Sequence, residues 1–73
     1  MKNLLAEMRQ IRGLTQQELG DWVGVSRQTI VSLEKGRYNP SLSLAHRLAS
    51  FFGKSIEEIF IFEEPSNGLS LKE

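Results

Sequence analysis

Apolar residues recur along most of this chain at helical rather than alternating intervals. Leu5, Met8 and Ile11 stand three apart, the spacing of one face of a helix. Asn3 can cap that helix and Gly13 can stop it, which predicts a first helix from the Asn3 cap to about Arg12. Leu4 falls to one side of the stripe and is expected to be partly exposed. Thr15 with Glu18 has the T-x-x-E form of a capping box, so a second helix is predicted to begin at Gln16, to bury Leu19 and Val23, and to end at Gly24. Gly20 in its middle costs about 1 kcal/mol against Ala, a cost that close passage of the next helix would explain.

Ser26 caps a third helix that Gly36 closes. Stepping about 100° per residue from Arg27, Thr29, Ile30 and Leu33 gather on a side that can face a core. Arg27, Gln28, Val31, Ser32 and Lys35 gather on the other. The segment RYNPSLS is a loop, because the residue before a proline avoids helical torsions, and Ser41 caps a fourth helix. There Leu44, Ala45, Leu48, Ala49 and Phe52 form a broad apolar face, and Gly53 ends the helix. Ser55 and Glu58 make a second capping box, opening a short fifth helix through Ile56, Ile59 and Phe60. Strand signals are otherwise absent, and the expected class is all-α with five helices. Residues 1–62 form the predicted domain and residues 63–73 a polar tail. Two readings of that tail stand side by side: disordered chain, or dimer contacts that include a strand through Leu69 and Leu71.

At 73 residues without cysteine, the chain hides only about 60% of its unfolded surface and has neither disulfides nor thiolate metal sites. His46 has no second histidine to form a ligand pair and reads as an exposed residue of the fourth helix; neither metal, cofactor nor small-molecule ligand is expected. No nucleophile and base pair, carboxylate dyad or phosphate loop appears, which argues against an enzyme. The apolar runs are far below the roughly 20 residues of a membrane span, and a cytoplasmic address is expected. Net charge is zero, but it is segregated: residues 1–47 hold seven Lys and Arg against four Asp and Glu, the remainder two against five. Such a split is compatible with a basic working surface and an acidic opposite end.

Two capped helices joined by a tight turn at Gly24, the second with a polar outward face, describe a helix-turn-helix. The segment LTQQELGDWVGVSRQTIVSLEKGRYNPSL resembles that of the Cro and phage-repressor type regulators, the Xre family, and the likeness spans about residues 3–62. It rests on Gln16 opening the second helix, on the apolar Leu19, Val23, Val25, Ile30 and Leu33, and on the turn glycine Gly24. Two departures stand out. Gly20 replaces the usual Ala, suggesting a looser second helix, and Trp22 replaces a polar residue.

The resemblance implies a five-helix, lambda-repressor-like domain whose third helix enters the major groove of double-stranded DNA. The base-reading candidates are then Arg27, Gln28, Val31 and Ser32. Arg27 suits guanine O6 and N7, Gln28 adenine N6 and N7, and Val31 a thymine methyl. Phosphate contacts are assigned to Gln16, Gln17, Ser26 and Thr29 around the two helix starts and to Lys35, Arg37, Tyr38 and Asn39 beyond the third helix. Taken singly, Lys35 and Arg37 are equally readable as solvated charges, and Tyr38 as packing over the loop. Family members often join the Arg9 and Glu34 positions by an ion pair, which here would tie helix one to helix three. Leu4, Phe51, Phe60 and Phe62 exceed what one small core readily absorbs. Either the core is enlarged by the tail, or helix five and the tail build a two-fold interface; the homodimer is preferred, with Phe51, Ile59, Phe60 and Phe62 in its contacts. The expected function is a prokaryotic or phage-encoded repressor on a palindromic operator; the rival is an antitoxin or adaptor holding a protein partner on the same fold.

Overall fold

The structure is a computed structural model in which residues 2–61 are described. It has five helices: α1 (Leu5–Ile11), α2 (Gln16–Val23), α3 (Arg27–Glu34), α4 (Leu42–Phe52) and α5 (Ile56–Ile59). A strand at each end, β1 (Lys2–Asn3) and β2 (Phe60–Ile61), forms an antiparallel pair with Lys2 opposite Ile61 and Asn3 opposite Phe60. Residues 62–73, including Phe62, Leu69 and Leu71, lie outside the described residues.

Four helix starts follow the local chemistry of their caps. Thr15, Ser26, Ser41 and Ser55 all adopt extended torsions, and each hydroxyl accepts the backbone N–H three residues on. At Thr15 and Ser55 the reciprocal bond is also made, from the cap N–H to Glu18 at 2.8 Å and to Glu58 at 2.7 Å. α1 begins differently. Asn3 lies in β1, and although its Oδ1 accepts the Leu5 N–H at 3.1 Å, its Nδ2 donates to the Leu33 carbonyl at the end of α3, 2.8 Å away.

The core fills against one face of α4. Leu44, Ala45, Leu48, Ala49 and Phe52 are buried, meeting Leu19 and Val23 of α2, Ile30 and Leu33 of α3, and Leu5 of α1. Ile59 and Phe60 close the far end. Two expectations change. Ile11 is 85% exposed, because i+6 stands about 120° away from Leu5 on the wheel, whereas Arg12 at i+7 returns to the inward side. Phe60 is not helical: its torsions are −105° and 120°, and the β-favouring run Ile59, Phe60, Ile61 leaves α5 to pair with β1.

The joint between α2 and α3 is tighter than the sequence suggests. Gly24 takes left-handed torsions, φ 81°, and both Gly24 and Val25 donate to the Gly20 carbonyl at 2.8 and 2.9 Å. A Cβ on Gly20 would sit 2.6 Å from the Val25 carbonyl oxygen. The glycine therefore admits the backbone of the turn rather than the next helix, and a close joint replaces the looser helix anticipated from its departure from Ala. Gly20→Val should lower stability by about 1–3 kcal/mol through overpacking, read as a fall in thermal midpoint, and unchanged melting would show that the turn can move aside. Acid should also act on α5. Bonds from the Ser55 backbone and side chain hold the Glu58 carboxyl below its ordinary value, so the unfolded chain binds the proton more readily and this contribution is lost as pH falls through the lowered value. Melts across the acid range should show that loss in the wild type and lack it in Glu58→Gln.

Candidate nucleic-acid interface

The polar side of α3 is held outward by the packing of its other side. Ile30 and Leu33 are fully buried, which leaves Arg27 and Gln28 exposed and Val31 and Ser32 half-buried. Gln28 and Ser32 do not stand alone. With Ser26, Thr29, Arg37 and Tyr38 they line one open groove of about 390 Å³ between α3 and the loop that follows it. Arg27 and Val31 lie on the adjoining flank of α3, as the helical step requires. The candidate readers thus occupy two flanks of one helix, and Arg37 and Tyr38 accompany Gln28 and Ser32.

The remaining phosphate candidates are more scattered. Ser26 and Thr29 hydroxyls stand 3.1 Å apart in a mutual hydrogen bond, and Ser26 Oγ also accepts the Thr29 N–H at 3.2 Å. Lys35 lies in a different groove, about 470 Å³, shared with Lys2, Leu4, Glu34 and Ile61 at the strand end of the molecule. Asn39 is exposed in the loop before Pro40. At the start of α2, Gln17 Nε2 donates to Asp21 at 2.9 Å, while Gln16 Nε2 donates to Glu34 Oε1 at 3.0 Å.

Glu34 anchors the joint between α1, α2 and α3. Arg9 Nε donates to Glu34 Oε2 at 2.7 Å and Arg9 Nη2 to Oε1 at 3.2 Å, and the two side chains are only 12% and 8% exposed. The third guanidinium nitrogen, Nη1, donates to the Leu14 carbonyl at 2.7 Å. This forked pair has the geometry in which an Arg–carboxylate contact is strongest.

Other expectations are corrected by burial. Ile59 is 0% and Phe60 1% exposed within a single chain, so neither can supply a dimer surface; both are spent on closing the core. Phe51 is half-buried, flanked by Trp22 at 5.7 Å between ring centroids and by the Arg12 guanidinium 5.0 Å above its ring. Trp22 keeps 68% of its surface exposed. Arg47 carries no role legible in the sequence, yet its Nε donates to the Val23 carbonyl at 3.0 Å and its Nη1 to Ser43 at 3.1 Å, tying α4 to the end of α2. The partners lie 24 residues apart, and no local pattern marks them. Among the described residues no cluster of acidic or histidine side chains could hold a metal, and no helix is long and apolar enough to cross a membrane.

A helix-turn-helix family profile matches residues 5–59, spanning every element that builds this face. The chain belongs to the helix-turn-helix family. It is 55% identical over 64 residues to an uncharacterized HTH-type transcriptional regulator of Methanocaldococcus jannaschii, covering 88% of this chain and 97% of that one. It is 32% identical over 68 residues to the cryptic phage CTXphi transcriptional repressor RstR of Vibrio cholerae, covering 93% and 61%. Among solved structures, the restriction-modification controller protein C.AhdI of Aeromonas hydrophila superposes with a TM-score of 0.69 at 32% identity, covering 77% of this chain and 85% of that one. The helix-turn-helix protein is therefore a transcriptional regulator of the lambda-repressor and Cro-like fold, with a DNA-binding domain and no enzymatic class. In this family member the Arg9 fork holds the α2 and α3 frame. Arg9→Ala strands the Glu34 carboxylate in a largely buried site and should cost about 3–5 kcal/mol, measured by denaturant unfolding; a loss under about 1 kcal/mol would instead class the pair with exposed bridges.

Proposed function

We propose that this regulator is a sequence-specific repressor that binds a near-palindromic operator as a homodimer in the cytoplasm. The observation that carries the reading is the single groove in which Gln28 and Ser32 of α3 face Arg37 and Tyr38 of the following loop. Base-directed amide and hydroxyl groups beside a cation and a phenol match a helix in the major groove with its loop against the sugar-phosphate backbone. Arg27, exposed at the first turn of α3, reads guanine; Gln28 reads adenine; Val31 meets a thymine methyl; Ser32 adds a hydroxyl. Gln16, Arg37, Tyr38 and, from the separate groove at the strand end, Lys35 hold phosphates. The repressor assignment is supported by the phage repressor RstR among the relatives. Two-fold pairing would set two α3 helices about 34 Å apart, one DNA turn.

A protein-interaction role is the second reading, and one observation favours it: Ile11 and Trp22 are largely exposed apolar side chains. Salt separates the two. Duplex binding weakens steeply as salt rises because phosphate contacts release counterions, whereas an apolar partner is retained.

Selection from a random duplex pool should return one enriched near-palindrome. Against it, Arg27→Ala should relax preference at one base position by about 1–3 kcal/mol and leave the others. Arg37→Ala should weaken every duplex alike and reduce the slope of log affinity against log salt by about 1. Equal losses on every sequence for both variants would overturn the division into readers and clamps, and absence of any enriched sequence would favour the protein-partner reading.

A further inference from the structure

We infer that Glu34 is a positioning residue for DNA binding: it aims the Gln16 amide at the phosphate that Gln16 holds. This rests on the proposed phosphate role of Gln16. The carboxylate of Glu34 can only accept, so the nitrogen and not the oxygen of the Gln16 amide must face it across the 3.0 Å contact. One Nε2 hydrogen is thereby committed. The planar amide then fixes the direction of the second, which is the only hydrogen the Gln16 side chain can give to a phosphate.

The acceptor itself is immobile. Glu34 is gripped through both oxygens by Arg9, and Arg9 is gripped in turn by the Leu14 carbonyl just before α2. The carboxylate is only 8% exposed, so water competes poorly for it. A glutamine on the surface loses rotamer freedom when it clamps a ligand. Here that freedom is given up on folding, before DNA arrives, which is preorganisation of the contact. Arg9 also cancels the charge of Glu34, so the carboxylate can orient Gln16 without presenting a net negative site to an approaching phosphate.

A purely structural role for Glu34 predicts a different pattern of coupling, and a double-mutant cycle distinguishes the two. Affinity is measured for the selected operator and for an unrelated duplex at one salt concentration, with the folded fraction of each protein checked by circular dichroism. Glu34→Gln keeps the shape and removes the charge; Glu34→Asp keeps the charge opposite Arg9 and withdraws the acceptor by one methylene. Each should weaken both duplexes by the same factor, about fivefold per bound protomer, the worth of one ordinary hydrogen bond. In a Gln16→Ala background neither should weaken binding further. In the free wild type, the Gln16 side-chain amide hydrogens should exchange slowly by NMR and lose that protection in Glu34→Asp. Equal losses with and without Gln16, losses confined to one sequence, or no loss in either variant would overturn the assignment while leaving duplex binding intact. A wild type that binds no duplex would overturn it together with the proposed function.

Discussion

Everything functional in this molecule depends on how closely the turn between α2 and α3 approaches the body of α2. The Val25 carbonyl occupies the place where residue 20 would carry a side chain, 2.6 Å from that Cβ position. Only glycine admits it without a shift, and the Gly24 and Val25 N–H groups then close onto the Gly20 carbonyl. Once the turn is seated, the crossing of α3 on α2 is constrained by backbone as well as by the core side chains and the bonds to Glu34. Ile30 and Leu33 enter the core, and Arg27, Gln28 and Ser32 are left outward as a consequence. The helix-propensity cost of Gly20, about 1 kcal/mol, is offset by two backbone hydrogen bonds and by burial on both sides of the joint.

A core this small cannot fix five helices by apolar contact alone. Three long-reaching side chains supplement it, and each ends on a carbonyl at a helix terminus or beside one. Asn3 reaches the Leu33 carbonyl, Arg47 the Val23 carbonyl, and Arg9 the Leu14 carbonyl. The last turn of a helix leaves carbonyls without intrahelical partners. At Leu33 and Val23, donors arriving from elsewhere in the chain bond such terminal carbonyls and fasten one element to another, and Arg9 does the same at the loop carbonyl of Leu14 before α2. Among the described residues no buried side-chain nitrogen or oxygen lacks a partner, the outcome expected where buried polar groups are few and each is structural.

This separates what was legible in the chain from what was not. Caps act over three residues, so Thr15, Ser26, Ser41 and Ser55 announced their helices, and the apolar face of α4 followed from its spacing. The three-residue spacing of Ile11 from Met8 suggests a core position, whereas its angle from Leu5 on the wheel turns it outward, where it is found. The capping box at Ser55 marks where α5 starts and carries no information about its length, so it cannot show that Phe60 leaves the helix. Nothing local could reveal that Asn3 also reaches the end of α3 or that Arg47 closes the end of α2, since those partners lie 30 and 24 residues away. For the interface, the residue types on α3 were readable, but the grouping was not: the groove joins Gln28 and Ser32 to Arg37 and Tyr38 and sends Lys35 to another face.

The distribution of cations explains why zero net charge is a poor guide to this protein. Of the basic residues in the first two-thirds of the chain, Arg9 is neutralised by Glu34, Arg47 is bonded to Val23 and Ser43, and Arg12 lies over the rings of Phe51 and Phe52 at 5.0 and 5.2 Å. These charges serve the fold. Arg27, Lys35 and Arg37 are exposed on α3 and directly after it. Among the described residues, Glu34, the acidic residue within α3, is turned inward to Arg9 rather than toward them. A field that steers a polyanion is set by which charges remain at the surface and where, not by their sum over the chain. By committing its one acidic group to the frame, α3 leaves Arg27, together with Arg37 of the following loop, as the charges beside its outward polar groups on a neutral protein.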